Sequence, residues 1–384
     1  MKRVSLMGKL LVVVLSAGGV LSAGLLTAFA SDTGQARQVA WSFSDQTVNV
    51  GLDYFHTYPE PPVFIPENHV ISGGLAIGDL NNDGWDDIFA VTGFLNDMAE
   101  NNANPNVLFI SDKAGGYTES ASTWGLSEMD QYSAGPLIAD VNGDGRNDLL
   151  LGGVDDDNDT NIKLYLNTGT SFSDATVSSG LQALLGDAWN FGMAAADINR
   201  DGDLDLFVGH WFDSNNPLLL ENNGSGSFSD ITNTHMDGVK PIHIFTPTFA
   251  DLNNDGWLDL LLSNDFLNDG SGNGGSRYFL NDGAGSFEQE GLPIPTADDP
   301  IDGPDENGMG SAIADYDNDG DMDWFVSSIY DTDGSSEGNW GVTGNRLYKN
   351  NDTDGVSERS GKTYPNKIRN SRLKIGSRPA PLIR

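Results

Sequence analysis

Five short segments place oxygen-bearing side chains at the same offsets: Asp79, Asn81, Asp83 and Asp87; Asp140, Asn142, Asp144 and Asp148; Asp197, Asn199, Asp201 and Asp205; Asp251, Asn253, Asp255 and Asp259; Asp315, Asp317, Asp319 and Asp323. They occupy positions one, three, five and nine of the pattern D-x-[DN]-x-D-G-x-x-D, with glycine at position six every time. Position seven can add its backbone carbonyl, from Trp85, Arg146, Asp203, Trp257 and Asp321. Such an all-oxygen shell around a glycine turn suits calcium, which takes about six to eight oxygen ligands. Magnesium, with its strict octahedron and retained waters, suits it less. Asp, Asn and Gly also make ordinary turns, but turn composition alone does not repeat five times at identical offsets. The pattern predicts about one Ca²⁺ per loop, hence about five ions in all.

Two other uses of acidic loops fail on inspection. An EF-hand needs a bidentate Glu at position twelve, where this chain has Ala90, Leu151, Val208, Leu262 and Val326. A calcium-binding β-helix needs tandem G-G-x-G-x-D repeats, which the sequence lacks.

Charge and composition point the same way. The 384 residues carry 56 acidic and 20 basic side chains, a formal net charge of −36, which argues against nucleic acid or an anionic membrane as partner. With no cysteine, disulfides, thiolate zinc sites and cysteine nucleophiles are excluded, so a structural staple must be a hard cation held by oxygen.

The elements that position the loops also repeat. Successive first aspartates are 61, 57, 54 and 64 residues apart, the size of a supersecondary unit. Each loop follows a small, apolar stretch such as Gly74-Leu75-Ala76-Ile77 and precedes a run such as Leu149-Leu150-Leu151. A third run recurs as Val107–Ile110, Leu164–Leu166, Leu218–Leu220, Tyr278–Leu280 and Leu347-Tyr348, and a fourth element centres on Tyr117, Phe172, Phe228 and Phe287. Short apolar runs bounded by Gly or Asp read as buried strands. Four per unit predict an all-β fold, a β-propeller of four-stranded blades with a calcium-binding loop in each. Five blades are visible, forming a complete ring or part of a seven-bladed one.

The ends divide the chain into three. Residues 1–30 read as a signal peptide: Lys2, Arg3 and Lys9 precede an apolar run from Leu10, with Ala28-Phe29-Ala30 at the cleavage site. Residues 31–358 hold every acidic side chain and form the propeller. Residues 359–384 hold eight basic side chains and no acidic one, and read as a basic flexible or non-native tail. Ser42-Phe43-Ser44-Asp45 copies the fourth-strand segments Ser171–Asp174 and Ser227–Asp230, whereas the last unit stops near Asn350 after its third strand. The expectation is that the strand at Phe43 completes the last blade and closes the ring.

The blade pattern D-x-N-x-D-G-x-x-D followed by N-x-L-Y-x-N-x-G-x-G-x-F-x-D resembles the FG-GAP or VCBS repeat of integrin α-chain propellers. It is most similar to the cartilage acidic protein and ASPIC/UnbV group, with Asn345-Arg346-Leu347-Tyr348-Lys349-Asn350 matching that group's third strand. The resemblance covers residues 41–352 and implies a secreted calcium-binding propeller. Family members usually have a seven-bladed ring, whereas five units are visible here.

Catalytic constellations are missing. No G-x-S-x-G elbow, H-E-x-x-H pair or P-loop occurs. The five histidines share no spacing, and the acidic runs Asp155–Asp157 and Asp298-Asp299 are accounted for by solvated loops. The sequence therefore reads as a non-enzymatic binding or adhesion scaffold for an extracellular protein or glycan, located outside the cell, in the periplasm or on the cell surface. Trp41, Trp124, Trp189, Trp211 and Trp340, outside the metal loops, are available for contacts or for packing between blades. The alternatives are a carbohydrate-active hydrolase or lyase on the same fold, and a purely structural surface protein.

Overall fold

In each repeat the residue before the loop is small (Gly78, Ala139, Ala196, Ala250, Ala314) and pairs directly with the position-nine aspartate across an antiparallel ladder. The loop is thus the hairpin connection between the first two strands of a blade. The computed structural model describes residues 43–52, 54, 74–91, 106–126, 133–153, 162–185, 188–210, 216–236, 243–264, 276–291, 308–328, 345–350 and 369–371. The signal segment 1–30 lies outside these. Among the described residues no helix is long and apolar enough to cross a membrane.

Blade one comprises β1 (Gly74–Gly78), β2 (Asp87–Val91), β3 (Val107–Ser111) and β4 (Tyr117–Glu119); blade two comprises β5 (Ser133–Ala139), β6 (Asp148–Gly153), β7 (Ile162–Asn167) and β8 (Phe172–Asp174). The helical turn α1 (Leu181–Leu185) follows. Blade three is β9 (Asn190–Ala196), β10 (Asp205–His210), β11 (Leu218–Asn222) and β12 (Phe228–Asp230), trailed by α2 (Thr232–His235). Blade four is β13 (Ile244–Ala250), β14 (Asp259–Asn264), β15 (Arg277–Asn281) and β16 (Phe287–Gly291); blade five is β17 (Gly308–Ala314), β18 (Asp323–Ser328), β19 (Arg346–Lys349) and β20 (Arg369–Ser371). All pairings within the blades are antiparallel, and a single pair, Gly153 with Asn190, joins blades two and three into one sheet. The chain is a β-propeller of four-stranded blades, as the repeat predicts.

The core lies between blades. In the second strands of blades two to four, alternate residues face opposite neighbours: Leu149 and Leu151 pack into the cluster shared with blade one, and Leu150 into the cluster shared with blade three. Leu206, Val208 and Phe207 divide in the same way, as do Leu260, Leu262 and Leu261. This period-two division explains the uninterrupted apolar runs, because strands covered on both faces need no polar side. First strands contact in the order β1, β5, β9, β13, β17.

Two expectations about the ends need correction. Residues 43–46 form no strand, and Phe43 is 97% exposed. The fourth position of the last blade is instead taken by Arg369–Ser371, which pairs with β19 although the charge break at residue 359 placed it outside the domain. The likeness of Ser42–Asp45 to a fourth strand has another basis. Asp45 accepts the Thr47 N–H at 2.9 Å, as Asp174 and Asp230 accept those of Thr176 and Thr232 at 2.8 Å. The carbonyl of Val50 then accepts the Tyr117 N–H at 2.7 Å, as those of Trp124 and Ser179 accept the N–H groups of Phe172 and Phe228 at 2.9 Å. The segment reproduces the turn that follows a fourth strand and docks it on blade one.

Candidate metal centres

The loop backbone is set by two left-handed residues. Position six is glycine with φ between 82° and 103°, and position four, occupied by Asn82, Gly143, Arg200, Asn254 and Asn318, has φ between 56° and 70°. Asparagine tolerates that region better than most residues; Arg200 is the unusual occupant.

The position-one carboxylate clamps the turn. Asp79 accepts the N–H groups of Asp83 and Gly84 at 3.0 and 2.8 Å, and Asp140, Asp197, Asp251 and Asp315 repeat the arrangement within 2.8–3.2 Å. The position-five carboxylate accepts the N–H of position seven in every loop. Position nine is buried: Asp87, Asp148, Asp205, Asp259 and Asp323 are at most 2% exposed. One oxygen of each accepts the N–H of position two, and the other accepts that of Ser111, Asn167, Asn222, Asn281 or Asn350 just past or at the end of the third strand. Burial pushes Asp148 and Asp205 up to about 6 and Asp259 to about 7, and raises Asp87 and Asp323. Each carboxylate oxygen retains a second lone pair after accepting one N–H, so these clamps leave capacity for a cation.

The donor set fits a hard divalent ion on three observations. Oxygens of Asp315, Asp317 and Asp323 lie within 4.8 Å of one another. The Oδ1 of Asn81, at position three of the first loop, is buried without a hydrogen-bond donor. A positive charge already seats itself in the fifth loop: the Lys349 ammonium bonds both Asp317 and Asp319, the latter at 2.7 Å, and holds Asp319 below the usual carboxylate range. Other basic groups meet position five in the first two loops, Lys113 on Asp83 at 3.2 Å and Arg146 on Asp144.

Several residues that organise the site were not singled out by the sequence. Asn167, Asn222, Asn281 and Asn350 each donate a side-chain N–H to the position-two carbonyl of the preceding blade's loop, Leu80, Val141, Ile198 and Leu252, at 2.6–2.9 Å. Position-four residues reach the next loop: Asn82 to the carbonyl of Gly145, Asn254 to Asp321, and Arg200 to the carbonyl of Gly256 with its guanidinium 3.8 Å from the Trp257 ring centroid. The signal for the first set was the recurring Asn after the third run; its partner, some eighty to a hundred residues earlier, leaves no mark in the sequence. Of the tryptophans expected to make contacts, Trp124 is core, tilted against Phe172 at 5.7 Å, and Trp189 is half-buried. Trp41, Trp211 and Trp340 lie outside the described residues, as do Asp155–Asp157 and Asp298-Asp299.

A family model described as the FG-GAP-like repeat matches residues 79–151, 140–208 and 209–262, the stretch that holds the first four loops. The first four repeats are similar to FG-GAP-like repeats. Curated relatives of this chain include cartilage acidic protein 1 of Xenopus tropicalis, 32% identical over 178 residues, and that of Homo sapiens, 28% identical over 177. Each alignment takes in 45% of this chain and 26% or 25% of the relative, so the chain spans about a quarter of the length of the curated relatives it matches. Among solved structures, a lectin of Agrocybe aegerita described as recognising non-reducing terminal N-acetylglucosamine has 16% identity and a TM-score of 0.42, over 73% of this chain and 63% of its own. The V. cholerae biofilm matrix protein Bap1 has 15% identity and a TM-score of 0.36, over 72% and 37%.

Proposed function

We propose that the FG-GAP-like chain is a secreted, calcium-binding propeller that works as a binding or adhesion scaffold for an extracellular protein or glycan, and not as an enzyme. The reading rests on the Asn81 Oδ1, a buried acceptor with no protein donor at the position where the repeat calls for a metal ligand. A buried acceptor left unmet costs on the order of 1–3 kcal/mol, and a cation shared with Asp79, Asp83, Asp87 and the Trp85 carbonyl would meet it. The other loops would hold their ions through the equivalent residues, with Asp317 replacing Asn at position three in the fifth. Bound calcium supplies positive charge that offsets the loop carboxylates. The apolar run beginning at Leu10 supports export, and extracellular calcium modules work at about 10⁻⁴ to 10⁻³ M.

Calorimetric titration of calcium into the chelator-treated chain tests this reading. About one ion per loop is expected, with a rise in melting temperature as the sites fill. Equal melting temperatures in EDTA and millimolar calcium would overturn it. Screening the calcium-loaded chain against glycans and surface proteins then addresses the partner.

A further inference from the structure

The interface between blades is built from repeated positions, and two complementary halves of it are exposed among the described residues of blades one and five. Two residues before each loop, Ile138, Ala195, Phe249 and Ile313 pack into the cluster shared with the preceding blade. The equivalent residue of blade one, Ile77, is 58% exposed, and Leu75 beside it on the same face is 62% exposed. The first residue after position nine is buried in the later blades, as Leu149, Leu206, Leu260 and Trp324, whereas Ile88 of blade one is half-buried. At the other end the deficit is the mirror image. Phe89, Leu150, Phe207 and Leu261, which face the following blade, are fully buried, but Phe325 of blade five is half-buried and Tyr316 is 44% exposed. The opposite face of β1 is not at issue: Gly74 and Gly78 lie against Pro136 and Ile138 of blade two.

We propose that blade five of one copy docks on blade one of another, head to tail, in the register that joins blades within the chain. The occupant is a second copy because this chain carries both halves of the interface, one on blade one and the other on blade five, and the four internal examples show that the halves fit. Such a contact joins unlike faces, so it grows into open chains unless its rotation closes a ring. It lacks one component. The asparagine that ties each later blade to its predecessor's loop is Ser111 in blade one, too short for the reach, so the contact between copies is weaker than those within one.

Sedimentation of the full chain at about 0.15 M salt, where the net charge is screened beyond about 8 Å, tests the proposal. The expected result is concentration-dependent assembly, abolished by Ile77→Asp and equally by Phe325→Asp. Mixing the two variants should restore dimers, because each keeps the half that the other has lost. Ser111→Asn should tighten assembly by about three- to tenfold by adding a hydrogen bond. Both charged substitutions fall on partly exposed positions, and circular dichroism checks that they fold. A wild type monomeric at all concentrations overturns the proposal, and a monomer destabilised by Ile77→Asp would show the two ends meeting each other within one chain. Assembly indifferent to both variants, or mixed variants that stay monomeric, overturns it as well.

Discussion

The side chain of Asn222 donates to the carbonyl of Val141, 81 residues earlier, at 2.8 Å, and so fastens the end of the third strand in blade three to the loop of blade two. Its second N–H goes to the carbonyl of Leu204, its own backbone N–H goes to Asp205, and its Oδ1 accepts the N–H groups of Gly224 and Gly226. One buried amide therefore ties two acidic loops and a turn together.

Asn222→Ala leaves the carbonyls of Val141 and Leu204 without this donor inside the protein. Each unmet buried group costs about 1–3 kcal/mol, so the urea midpoint should fall with little change in slope. Asn281→Ala, which breaks the equivalent bond to Ile198, should behave alike. Unchanged midpoints in both would show that water replaces the amide.

The loops were legible because a tight turn clamped by its own carboxylates demands particular residue types at fixed offsets. What the same residues do for the backbone was not. Asp259 reads as a ligand, yet it also holds the N–H groups of Leu252 and Asn281, which a list of ligand types does not reveal. The blade was legible through its apolar runs, since burial on both faces removes polar alternation. Arg369–Ser371 was illegible because an edge strand of three residues contributes backbone hydrogen bonds and requires no side-chain pattern. Phe43 misled because a fourth strand and the turn after it share the sequence S-F-S-D.

Stability in chelator should fall as pH rises through about 6 to 7. Burial raises Asp148, Asp205 and Asp259 above the usual carboxylate range, so the folded state binds protons more tightly than the unfolded one. That contribution is fully present below about pH 3.8 and is lost as pH climbs through the folded values. Exposed carboxylates have finished titrating by about pH 5, which separates them from the buried aspartates. The melting temperature in EDTA should decline between about pH 5 and pH 8, and a rise over that window would contradict the burial argument.

Lys349→Gln should act with opposite signs in chelator and in calcium. The ammonium neutralises Asp317 and Asp319, so removing it exposes their mutual repulsion in EDTA and lowers the melting temperature slightly, since the pair is near the surface. An entering cation would have to displace that ammonium, so the variant should bind calcium more tightly at the fifth loop. Titrating Lys349→Gln beside Lys349→Gln/Asp315→Ala assigns the gain to that loop. Destabilisation of equal size in EDTA and in saturating calcium would reduce Lys349 to a plain surface ion pair.

Phe43 and Phe172 share a sequence context and differ in environment. Phe172 is 8% exposed, packs with Trp124 and Leu149, and its strand is the outer edge of blade two. Truncating it removes a ring from an inter-blade cluster, and Phe172→Ala should cost about 3–5 kcal/mol. Phe43 is 97% exposed, so Phe43→Ala removes almost no buried area and should stay within about 0.5 kcal/mol of wild type. The fourth-strand position that sequence likeness offered to Phe43 is filled by Arg369–Ser371, which meets β19 through the register Leu347 to Ser371, Tyr348 to Asn370 and Lys349 to Arg369. Pro substituted at Asn370 tests that placement, because proline cannot donate to a ladder and fits poorly in a paired strand. Asn370→Pro should therefore lower stability while Phe43→Ala does not. The reverse order in a denaturant melt would mean that the N-terminal strand, and not the C-terminal one, completes blade five.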